Sequence, residues 1–249
     1  GRRVGAVRWW RHSHSPGPTC STIVLSLEKA RSLELWRAVA VECFATFLFS
    51  LIVSGAAASS AVSGSGLSVL ATAVASGFAI SAICFIFGHI SGSHVNPAVS
   101  VSFALCRRIS FLRAALYIAA QCGGGIAGAA MLYGVTTPSN TQTLTSLGRL
   151  GGPIERLLVE LTLSVLIVLA HFTSESSKTL PMLISSKPAG VLAAAYTAAT
   201  LVSFQSPFLN PARALGPAFV SNRWDNHWVY WVGPLSGSAV AALLHEYVL

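Results

Sequence analysis

The sequence predicts an all-α membrane protein: six transmembrane helices plus two half-length helices in an inverted repeat. Three observations predict it. Of the 249 residues, 53% are apolar and only 10% are charged, whereas a soluble domain carries about 25% charged residues. Six long apolar segments recur at about 35–58, 67–87, 112–134, 154–173, 188–204 and 228–249, each able to cross a hydrocarbon core of about 30 Å as a helix. Two shorter apolar pieces, 95–106 and 209–220, contain the same tripeptide, Asn-Pro-Ala, near their starts.

Taken in chain order, residues 1–34 form a basic tail in which Arg2, Arg3, Arg8 and Arg11 interleave with Trp9 and Trp10. A solvated, poorly ordered tail is expected, with a membrane-surface contact as the alternative. The formal charge of +8 would suit nucleic acid, but seven of the sixteen Lys and Arg residues lie in the first 37 positions. Charge gathered beside a span argues for the lipid bilayer as neighbour and against a nucleic-acid partner. The first span follows without an obvious cleavage site, so it is expected to be retained. The five cysteines show no paired or metal-like spacing, and Cys43, Cys84 and Cys122 fall inside apolar segments. A buried thiol there behaves as a small hydrophobe, so no disulfide framework is expected.

Residues 35–249 form the channel-sized domain, with repeat one at 35–134, a polar connection at 135–153 and repeat two at 154–249. The order span, span, half-span, span occurs twice. Markers occupy matching places: Glu42 precedes Asn96 by 54 residues and Glu160 precedes Asn210 by 50. Three full spans per half make the second half enter the membrane from the opposite side, the inverted plan of membrane transport proteins with a site near the midplane. Positive charge concentrates inside. Twelve of the sixteen Lys and Arg residues lie in the first 37 residues, the 107–113 turn and the 174–187 loop. Both termini are therefore expected on the cytoplasmic side of an integral membrane protein, the plasma membrane being the expected location.

The half-spans carry the functional signal. In Asn96-Pro97-Ala98 and Asn210-Pro211-Ala212, Asn is a good N-cap and Pro suits the first helical position. One copy would be an ordinary helix start. Two copies at equivalent places, each opening a half-length helix, imply two N-termini meeting at the midplane. Each carries roughly half a positive charge, which opposes cations and protons. The cap asparagines would have side-chain amides free to donate to a passing oxygen.

The chain resembles the aquaporin (major intrinsic protein) family from about Leu35 to Leu249. The resemblance is carried by 88–92 (GHISG) leading into 94–99 (HVNPAV), by Asn210-Pro211-Ala212-Arg213, and by 228–234 (WVYWVGP). The run 121–128 (QCGGGIAG) looks most like the insect big brain branch. The resemblance implies the aquaporin fold and a homotetramer with one pore per subunit; the branch implies a link to Notch-dependent neurogenesis.

Residues already singled out acquire roles from this likeness. A glutamate within a span costs roughly 2.5–3.5 kcal/mol on insertion scales, so Glu42 and Glu160 are expected to accept backbone N–H groups of the half-helix loops, with His89 as a further loop support. Irregular backbone is allowed at membrane depth where it lines a cavity. Carbonyls of Gly92, Ser93 and His94, and of Ser206, Pro207 and Phe208, would form a ladder of acceptors. No carboxylate or cysteine accompanies His89 and His94 at metal-ligand spacing, so neither a metal nor another cofactor is expected. Gly124 and Gly128 form a Gly-x-x-x-Gly pair suited to close helix packing.

Water-selective relatives narrow the outer mouth with an aromatic ring, a histidine, a small residue and an arginine. Counting back without gaps puts these at Ser76, Ala198, Pro207 and Arg213, and a slip of two residues would bring Phe78 to the aromatic place. Losing both bulky groups widens the mouth. The expected function is a channel with a wide, weakly selective filter, passing water, small solutes or monovalent cations. A strict water channel is one alternative, and a membrane scaffold or adhesion protein with an incidental pore is another. No nucleophile–base pair, metal cluster or cofactor loop points to an enzyme.

Overall fold

The structure is a computed structural model that describes residues 32–63, 68–136, 152–176, 187–202 and 208–249. Its main compact unit is Arg37–Leu249. Residues 1–31, much of the polar connection, and Ser206 and Pro207 lie outside the described residues.

Eight α-helices and no strand occur among the described residues. They are α1 (Leu33–Ser63), α2 (Ser68–Ser91), α3 (Pro97–Leu105), α4 (Phe111–Val135), α5 (Pro153–Ser176), α6 (Lys187–Val202), α7 (Pro211–Ser221) and α8 (Val229–Tyr247). The pattern of two full helices, a half-helix and a full helix therefore appears twice. By length and composition α1, α2, α4 and α5 can cross a membrane. The 16 residues of α6 and 19 of α8 span about 24 and 28 Å at the helical rise. The half-helices α3 and α7, of 9 and 11 residues, reach only about halfway. Helix α2 continues to Ser91, so Gly88, His89 and Ile90 form its last turn and not the start of the loop.

Glycines set how closely helices pack within each half and where the halves meet. A Cβ on Gly124 of α4 would strike the Cys43 carbonyl of α1, and one on Gly128 would lie 2.6 Å from that of Phe47. This is the close packing expected of the pair. Helix α8 approaches α5 in the same way: a Cβ on Gly237 would strike the Leu161 carbonyl, and one on Gly233 would lie 2.7 Å from Glu160 Cβ. Cys43 follows Glu42 in sequence as Leu161 follows Glu160. Each glycine pair thus draws a helix against the span that carries the buried glutamate. Gly125 meets the Ala212 carbonyl, which seats α4 on the half-helix α7 as well.

The core contains Phe49 of α1, Ile80 of α2, Val99 of α3, Ile167 of α5 and Leu192 of α6. Large apolar side chains such as Leu70, Phe85, Leu158 and Val240 are exposed. Large apolar side chains on the outside as well as in the core suit a protein surrounded by lipid.

Candidate functional site: two half-helix loops that brace each other

Asn96 caps α3, its Oδ1 accepting the Ala98 N–H at 2.9 Å, and Asn210 caps α7, accepting from Ala212 at 3.0 Å and Arg213 at 3.3 Å. Pro97 and Pro211 occupy the first turns, where a missing N–H costs nothing. Both caps therefore form as the tripeptides predict.

The side-chain amides do more than wait for a solute. Asn96 Nδ2 donates to the Leu209 carbonyl at 2.8 Å, and Asn210 Nδ2 donates to the Val95 carbonyl at 2.7 Å. Each cap thus ties its own half-helix to the opposite loop. One N–H of each amide is committed to this brace, so the expectation of wholly free amides is corrected.

Val95 and Leu209 make the brace possible through unusual backbone. Each precedes its cap asparagine, and each stands at positive φ, 56° and 51°. Non-glycine residues in that region cost about 1–3 kcal/mol and persist only where surroundings fix them. Here both ends of each residue are held. The Val95 N–H donates to Glu42 Oε2 at 2.7 Å, and the Leu209 N–H donates to Glu160 Oε2 at 2.8 Å. The preceding N–H groups, of His94 and Phe208, bind the other carboxylate oxygens at 2.9 Å each. Gly92 and Ser93 also lie at positive φ, so the backbone from Gly92 to Val95 turns away from helix before α3 begins.

Glu42 accepts two more bonds, from Ser91 Oγ at 2.6 Å and Gln121 Nε2 at 2.9 Å. Tyr117 completes this cluster by donating to the Ser91 carbonyl at 2.9 Å. Sequence reasoning missed Ser91, Tyr117 and Gln121 as supports. Gln121 carried a usable signal, because an amide inside an apolar span needs a partner. It donates both to Glu42 and to Ser100 Oγ, the latter at 2.9 Å. His89, by contrast, is exposed on the last turn of α2 and borders an inner cavity; the polar support there comes from Ser91. His94 is buried, its Nδ1 3.2 Å from Ser100 Oγ and its ring packed on Phe103 and Tyr117. No group of His, Cys, Asp and Glu suited to a metal occurs among the described residues.

The outer-filter positions separate. Ser76 is buried on α2, beside the point where Gly77 meets Ala193 and Thr197 of α6. Phe78 is 74% exposed, because two residues turn a helix by about 200°. The slip would thus put an exposed ring at the aromatic place. Ala198 shares an exposed face of α6 with Val191, Ala194, Leu201 and Val202. The inward face carries Leu192, Ala195, Tyr196, Ala199 and Thr200. The count from Asn210 back to Ala198 runs through 203–207, which lie outside the described residues. Pro207 lies outside the described residues. Arg213 is 7% exposed, with its guanidinium over the Phe208 ring at 5.4 Å and close enough to Glu160 for a favourable charge interaction.

At the other end, a cavity of about 220 Å³ is bordered by Gly92, His94, Phe103, Arg108 and His171. Arg108 ties its rim together, pairing with Glu175 of α5, lying 2.7 Å from His245 Nε2 of α8, and stacking over Phe172.

This geometry meets a family pattern. The model of the major intrinsic protein family matches residues 29–245. The chain belongs to that family. It is 49% identical over 222 residues to the neurogenic protein big brain of Drosophila melanogaster, a match covering 88% of this chain and 31% of that protein. The chain thus spans about a third of that relative's length. It is 36% identical over 253 residues to aquaporin-4 of Bos taurus, covering 99% of this chain and 77% of that one. Among solved structures, the aquaglyceroporin from Plasmodium falciparum superposes with a TM-score of 0.73 at 19% identity, covering 86% of this chain and 96% of that one. That likeness shows the fold, and family membership makes the chain one of the membrane channel proteins.

Proposed function

We propose that the chain forms a transmembrane pore between its two braced loops, with a weakly selective outer mouth that passes water, small solutes or monovalent cations. The observation that carries this reading is the reciprocal brace. Asn96 to Leu209 and Asn210 to Val95 bring two half-helix N-termini together at membrane depth, where their partial positive charges act on whatever passes. Non-helical backbone at that depth is tolerated where it is buried in protein or lines a cavity. Carbonyls of Gly92, Ser93, His94, Ser206, Pro207 and Phe208 supply the acceptor path, with Arg213 as the fixed charge near the outer end. Four subunits, each with its own pore, assemble in the plasma membrane with both termini inside.

A second reading, a scaffold or adhesion protein acting in Notch-linked neurogenesis, is favoured by one observation, the 49% identity to a protein named neurogenic. Osmotic swelling and membrane current recorded from the same expressing cells separate the two. A pore raises water flux, current or both above uninjected cells, whereas a scaffold at equal surface abundance raises neither.

A further inference from the structure

Tyr196 stands where the half-helices meet, and the loop braces do not use it. It lies on the inward face of α6 and is 4% exposed. Its hydroxyl is 3.1 Å from His171 Nε2 of α5 and within hydrogen-bonding reach of the Asn96 side chain. Its ring meets Phe49 of α1 edge-on at 5.6 Å. The phenol is therefore wedged among α1, α5 and the cap of α3.

Asn96 has two amide hydrogens. One goes to the Leu209 carbonyl. Tyr196 stands beside the amide that would offer the other to a permeating oxygen. The cavity reaches His94 and His171, and His171 carries the contact on to the Tyr196 hydroxyl. On the facing helix the crossing is lined by small residues, Ser76 and Gly77, with Gly77 against Ala193 and Thr197.

We propose that Tyr196, held by His171, sets the size limit of the pore, next to Asn96 and not at the ring of outer-mouth residues. This rests on the channel reading above. A solute must pass beside the phenol, and its oxygen exchanges hydrogen bonds with the Tyr196 hydroxyl and the Asn96 amide in turn. The ring fixes the width, and the hydroxyl supplies the polar stop.

The test is uptake of water, urea and glycerol into expressing cells or vesicles, normalised to surface abundance. Tyr196→Ala removes the ring and is expected to raise urea and glycerol uptake severalfold over wild type. Tyr196→Phe keeps the ring, so exclusion of the larger solutes persists while water flux changes. Tyr196→Trp narrows the passage and is expected to lower water flux, which keeps the test decisive should the alanine variant fold poorly. If wild type conducts and neither the alanine nor the tryptophan variant alters the solute profile, Tyr196 is a packing residue and the proposal falls alone. If wild type and all three variants match empty membranes, the channel reading falls with it.

Discussion

The two half-helix loops solve one problem with different means. Both present two consecutive N–H groups to a buried carboxylate, His94 and Val95 to Glu42, Phe208 and Leu209 to Glu160. Beyond that they diverge. The spare capacity of Glu42 is filled by neutral donors, Ser91 and Gln121. The spare capacity of Glu160 faces positive charge, from Arg156 and Arg213. The first loop is closed by a hydrogen-bonded cluster, and the second is balanced by arginine side chains. The difference teaches that the backbone work is symmetric and the electrostatic work is not. The positive charge near a buried carboxylate is built into the second half.

Removing each carboxylate breaks the comparison most severely. Glu42→Ala strands two backbone N–H groups, a hydroxyl and an amide, and each buried donor left without a partner costs about 1–3 kcal/mol. Glu160→Ala strands two N–H groups and uncovers Arg213. Both variants are expected to lose thermal stability in detergent, and Glu42→Ala is expected to lose more surface expression. Equal stability of Glu42→Ala and wild type would show that the inner loop is held by other contacts.

A smaller effect is expected where the halves are alike. Gly124→Ala and Gly237→Ala each drive a methyl into a carbonyl of the neighbouring span, that of Cys43 or Leu161. Overpacking of this kind costs about 1–3 kcal/mol. Melting temperatures of the two variants should fall by similar amounts, and a drop in one alone would show that the packing is not shared between the halves.

The smallest effect sharpens the account of the outer mouth. Ala198 sits on an exposed face of α6, so Ala198→His is expected to leave swelling rate and solute profile as in wild type. A clear narrowing of the solute range would place that face inside the pore.

Much of this was legible in the sequence, for reasons that differ by element. The half-helices were legible because Asn and Pro have fixed uses at a helix start, and two copies at matching places exclude coincidence. Glu42 and Glu160 stood out because a carboxylate in an apolar span demands a partner. Gly124 and Gly128 showed their role by spacing alone. What stayed hidden depends on three dimensions. The amides of Asn96 and Asn210 reach carbonyls more than a hundred residues away in sequence, through backbone at positive φ that Val95 and Leu209 do not advertise. His89 was given a role that Ser91 fills, since a histidine looks functional and a serine does not. A count from Asn210 carries no helical phase back to Ala198, which lies on an exposed face of α6, and Tyr196 went unnoticed on the inward face.

The asymmetry of charge is tested most directly at Arg213. Its guanidinium is effectively always charged and lies against Phe208, near Glu160. The decisive measurement is the cation current of wild type and Arg213→Ala in the same expression system, at matched surface abundance. The account predicts a severalfold larger cation conductance in Arg213→Ala, with a reversal potential shifted toward cation selectivity. An unchanged current and reversal potential, with normal surface delivery, would contradict it and move the cation barrier away from the outer loop.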